Sequence, residues 1–219
     1  MPQPPCIAVL GGTGQHGRGL ARRLAHAGAR IIVASRDPER ARHLVATWSH
    51  AEHIATAGYD AAIAEADVTI LAVPFHSIDG ILEEQRRHFR SGTLVIDVTV
   101  PVTFSDGKLT LIAVPEGSAT EHIRQRLSPD ARLAAAFKTV PAHLLDAGTE
   151  PLECDEFVCG DSDEARSGAA TLVRMLPGVR PIDVGPLARA RSIEHLTALA
   201  IAINRRHKVH AARFRVVGL

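Results

Sequence analysis

Cys6-Ile7-Ala8-Val9-Leu10-Gly11-Gly12-Thr13-Gly14-Gln15-His16-Gly17 runs from five apolar residues into a glycine-rich turn and then into a stretch of helical spacing. The turn contains G-x-G-x-x-G at Gly12, Gly14 and Gly17, with Thr13, Gln15 and His16 between them. A bare pattern of this kind is common by chance. With a strand before it and a helix after it, it has the geometry of a dinucleotide-binding turn. Gly12 permits the tight turn, Gly14 lets a pyrophosphate reach the backbone, and Gly17 lets the helix lie close on the strand. Open N–H groups at the helix start then face the anion. The bland alternative is a glycine-rich turn that binds nothing.

The next apolar run, Arg30–Ala34, ends in Ser35-Arg36-Asp37-Pro38-Glu39-Arg40. An NAD site usually places an acid at this strand tip, about 20 residues past the glycines, to hold the ribose 2′-hydroxyl. Here the tip carries Ser35 and Arg36, with Arg40 one helical turn on. A hydroxyl and guanidinium groups suit a 2′-phosphate, so NADP(H) is expected over NAD(H). Asp37, beside them, leaves some NAD binding open, and a solvated face pairing Arg36 and Arg40 with Asp37 and Glu39 is the competing reading. Val73-Pro74-Phe75 and Asp97-Val98-Thr99 close two later strands at the edge where ligands sit. Phe75 is expected to wall the nicotinamide side and Thr99 to offer a polar contact.

Working outward, short apolar runs alternate with helical stretches, as a parallel sheet with helical crossovers requires. Strands are expected at Cys6–Leu10, Arg30–Ala34, His53–Ala55, Val68–Ala72 and Leu94–Asp97, then an apolar run at Leu133–Phe137. Helices are expected at Gly14–Ala27, Pro38–Ser49, Asp60–Ala66, Ser77–His88 and Ser118–Leu127. About six β–α units make a doubly wound, Rossmann-type α/β sheet. After Pro141 the pattern loosens to a short helix near Ala142–Ala147, an acidic loop, a strand near Phe157–Cys159, a helix Glu164–Leu176, a strand near Pro181–Val184 and a long helix Ala188–His207. The expected division is a dinucleotide-binding domain, 1–148, and a small α/β extension, 149–219, that packs on the sheet and shapes a second-substrate cleft.

The 219 residues are 46% hydrophobic and 22% charged, a globular composition with no stretch able to span a bilayer and no basic leader. A net charge of +1 lacks the cationic excess of a nucleic-acid protein. Charge is uneven: Glu150–Glu164 holds seven acids and no Lys or Arg, while 188–219 holds seven Lys or Arg and one acid. Cys6, Cys154 and Cys159 form no C-x-x-C pair, which points to a reducing cytoplasm and away from disulfides or zinc. No G-x-S-x-G, H-E-x-x-H or other metal-ligand spacing occurs. His207 and His210, one turn apart among Arg205, Arg206 and Lys208, read as a solvated cationic face.

The Gly-Gly-Thr-Gly loop, Ser35-Arg36, Val73-Pro74, Phe137-Lys138-Thr139-Val140-Pro141-Ala142, Val158-Cys159-Gly160-Asp161 and Gly185-Pro186-Leu187 lie along nearly the whole chain. With them the chain resembles the coenzyme F420-dependent NADP oxidoreductases. The resemblance implies hydride transfer between NADP(H) and the deazaflavin of F420, a homodimer or larger assembly, and a floor for the second ring at Thr139, Val140, Pro141 and Ala142. Such transfer needs two rings held face to face about 3–3.5 Å apart and few reactive side chains. Family members read His-Thr-Ile-Pro-Ala where this chain has Lys138-Thr139-Val140-Pro141-Ala142, and Trp where it has Phe75. Lys138 is therefore the catalytic candidate, as a cation near the reduced ring or as a proton donor. A lysine snorkelling at the sheet edge is the bland alternative. The departure keeps two other readings open: an NADPH-dependent reductase of a flavin, ketone or imine, and a non-catalytic NADP(H) sensor. Arg189 and Arg191 are candidates to steer the anionic F420 tail, or to pair with the acidic stretch across a subunit interface.

Overall fold

The computed structural model describes residues 4–49, 51–105 and 108–219. Ten strands and eight α-helices follow in the order β1 (Cys6–Leu10), α1 (Gln15–His26), β2 (Arg30–Ala34), α2 (Pro38–Val45), β3 (Ile54–Ala57), α3 (Tyr59–Glu65), β4 (Val68–Leu71), α4 (Ile78–Gln85), β5 (Leu94–Asp97), β6 (Val102–Ser105), β7 (Lys108–Leu111), α5 (Ala119–Arg126), β8 (Arg132–Ala135), α6 (Ala142–Asp146), β9 (Cys154–Gly160), α7 (Asp163–Arg174), β10 (Val179–Pro186) and α8 (Ala190–His207). The main sheet runs β10-β9-β8-β5-β4-β1-β2-β3. From β3 to β8 every pair is parallel, the doubly wound arrangement expected, with β1 and β4 adjoining at the switch of strand order.

Alternation along β1 shows why this sheet is buried on both sides. Ile7 and Val9 join a core with Leu20 and Leu24 of α1 and Leu172 of α7, while Ala8 and Leu10 face a second core with Ile63 of α3, Ile78 of α4 and Ile123 of α5. Each such leucine or isoleucine is worth about 1.5–3 kcal/mol when removed from water. Helix starts match their chemistry: Asp37 caps α2 at the Arg40 N–H (3.0 Å), with Pro38 at the first helical position, and Ser118 and Ser162 cap α5 and α7.

Two features depart from the expected pattern. The hairpin β6–β7, antiparallel and outside the main sheet, falls where no strands were expected. The last two strands, β9 and β10, are parallel to each other, but β9 meets β8 antiparallel, and only at Ala134↔Gly160 and Ala135↔Cys159. The connection contains a five-residue helix, α6, too short for a crossover that would return the chain for a parallel strand. Because β9 enters from beyond the carboxyl end of β8, its first residues overhang the segment that follows β8. The expected acidic loop is also corrected: Asp155 and Glu156 lie in β9 and are buried. No described helix is long and apolar enough to cross a membrane.

Candidate functional site

At the carboxyl end of β1 the glycine turn closes on itself, Gly12 N–H donating to Val9 O (3.1 Å) and Gly14 N–H to Gly11 O (2.9 Å). The first bond of α1 is Arg18 N–H to Gly14 O (2.8 Å), and no side chain caps the helix start. The amides of Gln15, His16 and Gly17 therefore point out of the helix with no intrahelical acceptor, a ready anion site. Two glycines are sterically required. A Cβ at Gly12 would lie 2.9 Å from Val9 O, and one at Gly17 would lie 2.5 Å from Gly11 O.

The second strand ends as expected, with Ser35 accepting from Asp37 N–H (3.1 Å) and Asp37 occupied in capping α2. Arg36 and Arg40 are exposed and make no ion pair among the described residues; Glu39 pairs with Arg42 instead. Arg36 stands near the Tyr59 hydroxyl, whose pKa burial raises and Arg36 lowers. Val73 is buried and Pro74 exposed, while the half-buried Phe75 ring meets His122 edge-on at 5.2 Å. Thr99 is buried; its N–H donates to Asp97 Oδ1 (2.7 Å) and its hydroxyl has no partner.

A cavity of about 290 Å³ opens at the same sheet edge. His16 of the loop, Thr139–Ala142 after β8, and Thr197 and Asn204 of α8 are among its walls. It thus brings part of the phosphate loop together with the expected ring floor, whereas Ser35, Arg36, Arg40 and Phe75 stand apart from it. His16 Nε2 is enclosed without a partner, and burial pushes this imidazole down to about 4 against the pull of the Phe137 carbonyl, so it is neutral at pH 7. His210, expected on a solvated face, packs its ring against His143 at 5.9 Å at the cavity margin. Arg23 ties the two sides: buried in α1, it donates to the carbonyls of Leu144 (2.8 Å), Leu145 (3.0 Å) and Glu150 (2.8 Å) at the end of α6.

Lys138 is placed neither in the cleft nor snorkelling at its rim. Its ammonium is fully enclosed and donates to Asp97 Oδ2 (2.7 Å), Glu194 Oε1 (3.2 Å) and the Thr99 carbonyl. An ammonium has three N–H donors, and all three are used. Burial alone would lower its pKa, but the carboxylates of Asp97 and Glu194 outweigh that and hold it above the ordinary lysine value. Glu194 also accepts from Ala119 N–H (3.2 Å), and Asp97 from the Thr120 hydroxyl (2.7 Å), so α5, α8, β5 and the post-β8 segment meet in one buried network.

The backbone around Lys138 is unusual. Phe137, fully buried, has φ 59, a left-handed conformation costing about 1–3 kcal/mol for a residue with a Cβ. Past that kink, Glu156 of β9 accepts from Lys138 N–H (2.9 Å), Thr139 N–H (3.2 Å) and the Thr139 hydroxyl (2.6 Å). Thr197 of α8 donates to Lys138 O (2.9 Å). Sequence reading passed over Glu156, one acid among seven; the only signal was its position beside the apolar Phe157–Cys159. The three cysteines are free and buried, and burial pushes Cys154 to about 11 and Cys159 to about 12, which keeps them thiols. Arg189 and Arg191 are exposed at the start of α8, with no ion pair to the acidic stretch among the described residues.

Residues 6–101 match the family model described as "NADP oxidoreductase coenzyme F420-dependent". The chain is 39% identical to the F420-dependent NADP reductase of Methanothermobacter thermautotrophicus, over 97% of this chain and 95% of that one. It is 37% identical to the enzyme of the same name from Methanothermobacter marburgensis, over 97% and 98%. A crystal structure from Arthrobacter sp. FB24, assigned as an F420-dependent NADP reductase, superposes with a TM-score of 0.81 at 26% identity, covering 96% of this chain and 98% of that one.

Proposed function

The chain belongs to the coenzyme F420-dependent NADP oxidoreductase family, and from that premise we propose how its carboxyl edge divides between the two substrates. It transfers a hydride between NADP(H) and F420: the nicotinamide supplies or receives the hydride, and the deazaflavin is its partner. The residues fit the first of these. Open amides of the loop from Gly12 to Gly17 receive the pyrophosphate, and Ser35, Arg36 and Arg40 receive the 2′-phosphate. The observation that carries this reading is that Arg36 and Arg40 stand exposed and unpaired among the described residues while Asp37 is already bonded. Val73, Pro74 and Phe75 border the path between, and Thr99 closes it from β5. His16 and the Thr139–Ala142 floor flank the place where the two rings meet.

In this arrangement Lys138 acts on the rings through the position of its backbone and through the buried charge network. A reductase of carbonyls or imines with Lys138 as proton donor would need a free N–H on that side chain, and each is engaged. We assign residues 1–148 to NADP(H) binding and 149–219 to completing the second-substrate cleft, supported by α8 and β9 reaching Lys138. A second copy is proposed to cover the exposed apolar residues Phe104 (60% exposed), Leu199 (50%) and Val209 (44%) of β6 and α8 and the turn after it. The three free thiols fit a reducing cytoplasm.

Mixing the protein with NADPH and F420 is expected to bleach the deazaflavin absorbance, and an unchanged spectrum would overturn the assignment. Substituting Arg36→Gln together with Arg40→Gln is expected to weaken NADPH binding by about 100-fold. Each exposed charge-assisted bond to phosphate is taken at the low end, about 1.5 kcal/mol. NADH binding should stay within twofold. Fluorescence titration with both nucleotides checks this, and a parallel loss for both would remove the 2′-phosphate assignment.

A further inference from the structure

We infer that Glu156 is a positioning residue for the second ring: its carboxylate holds the Lys138–Thr139 backbone past the kink at Phe137, and so sets the floor of the cleft. This rests on the proposed location of the F420 site at Thr139–Ala142. Backbone pairing between β8 and β9 stops at Ala135↔Cys159. Beyond it the two chains diverge, and the next amides, Lys138 and Thr139, would be buried without acceptors. A side chain takes over the ladder's role. Glu156 accepts all three donors, Lys138 N–H, Thr139 N–H and the Thr139 hydroxyl. The segment so held leads directly into Val140, Pro141 and Ala142, which line the cavity. Buried unpaired amides are costly, so without this acceptor the left-handed turn at Phe137 loses its main support on the β9 side.

The charged neighbours of Glu156 are few. Lys138 lies across from it, its ammonium committed to Asp97 and Glu194. On β9 stand Cys154, a thiol, and Asp155, which is turned to Arg180. Arg23 of α1 and Arg213 of the C-terminal tail act on this region through Cys154, and the β10 neighbour Pro181 is uncharged. Burial pushes the Glu156 carboxyl up to about 7, while the bonds from Thr139 and Lys138 pull it down. Glu194 is also raised by burial, so the variants must separate the two acids. Protonation removes acceptor capacity from an oxygen that three donors need, and the floor loosens. Stability moves the other way. A carboxyl raised in the folded state adds stability that is complete below its ordinary value of 4.5 and declines as pH rises through about 7.

Steady-state kinetics of the full chain from pH 6 to 8.5, with NADPH titrated separately by fluorescence, tests this. The wild type is expected to show a rise of about fivefold in KM for F420 as pH falls from 8 to 6. Glu156→Gln should hold the high KM at every pH, with NADPH affinity within twofold of wild type, while Glu194→Gln keeps the pH dependence. A Glu156→Gln profile parallel to the wild type, or an equal loss of NADPH affinity, would overturn the inference. If Glu156→Gln does not fold, Thr139→Val removes one bond to the same carboxylate, and the KM transition should move to higher pH; an unmoved transition overturns it. Absence of F420 bleaching by the wild type would instead sink the family-based site, a separate outcome.

Discussion

Gly17→Ala is expected to weaken NADPH binding by about 10²–10⁴-fold. The added Cβ would sit 2.5 Å from Gly11 O and 3.0 Å from Gly12 Cα, and both are backbone atoms of the turn. No rotamer relieves such a contact, so the turn must open or α1 must slide. Either movement disperses the amides at the start of α1 that converge on one anion. Losing about two charge-assisted bonds, at about 1.5–3 kcal/mol each, gives the stated range. The fold should survive, because Gly17 lies at the first turn and the two cores form farther along α1, around Leu20 and Leu24. Gly80→Ala serves as the control: a Cβ there meets nothing within 4 Å, and NADPH binding should not change. Isothermal calorimetry on both variants checks the contrast, and a Gly17→Ala affinity within fivefold of wild type would show that the turn does not grip the nucleotide.

That prediction was legible in the residues because a strand, a tight turn and a helix leave local signatures. The bounds of β1, β2 and β5 follow from apolar runs alone, and Asp37-Pro38 marks the start of α2 by the chemistry of capping. The cleft's far side was less legible. Nothing local announces the direction in which β9 runs. That follows from the shortness of α6 and from how β8 ends, which are properties of the assembled sheet. The β6–β7 hairpin hid for a related reason: its four-residue strands sit off the main sheet, and Phe104 on β6 remains exposed, so no buried alternation marks them. Glu156 and Asp97 look like ordinary acids in sequence, and their burial depends on partners 18 and 41 residues from them in the chain. Lys138 was found through the family's motif, yet where its ammonium points is decided by Asp97 and Glu194, which no motif connects to it.

Lys138→Met is expected to destabilise the fold by about 3–5 kcal/mol at pH 8, the usual cost of removing one member of a buried ion pair. Methionine fills the volume but leaves Asp97 and Glu194 enclosed, near each other, with no cation. In the wild type the lysine pKa is raised above 10.5, so the contribution of these ion pairs is intact below that value and is lost only as pH rises beyond it. In the variant the dependence appears at the acid side. Without Lys138 both carboxyls are pushed up by burial and by each other, so their stabilising neutral forms persist at low pH and are lost as pH rises. The deficit should therefore shrink at pH 5. Adding Glu194→Gln to Lys138→Met removes one stranded charge and should restore part of the loss at pH 8. Urea denaturation of the three proteins at both pH values measures this. A loss below about 1 kcal/mol at pH 8 would mean that water reaches Asp97 or Glu194 and that the network is not sealed. A sealed network fixes the function of the lysine: its charge joins β5, α8 and the segment after β8, and the ring floor keeps its shape because the ammonium is held there.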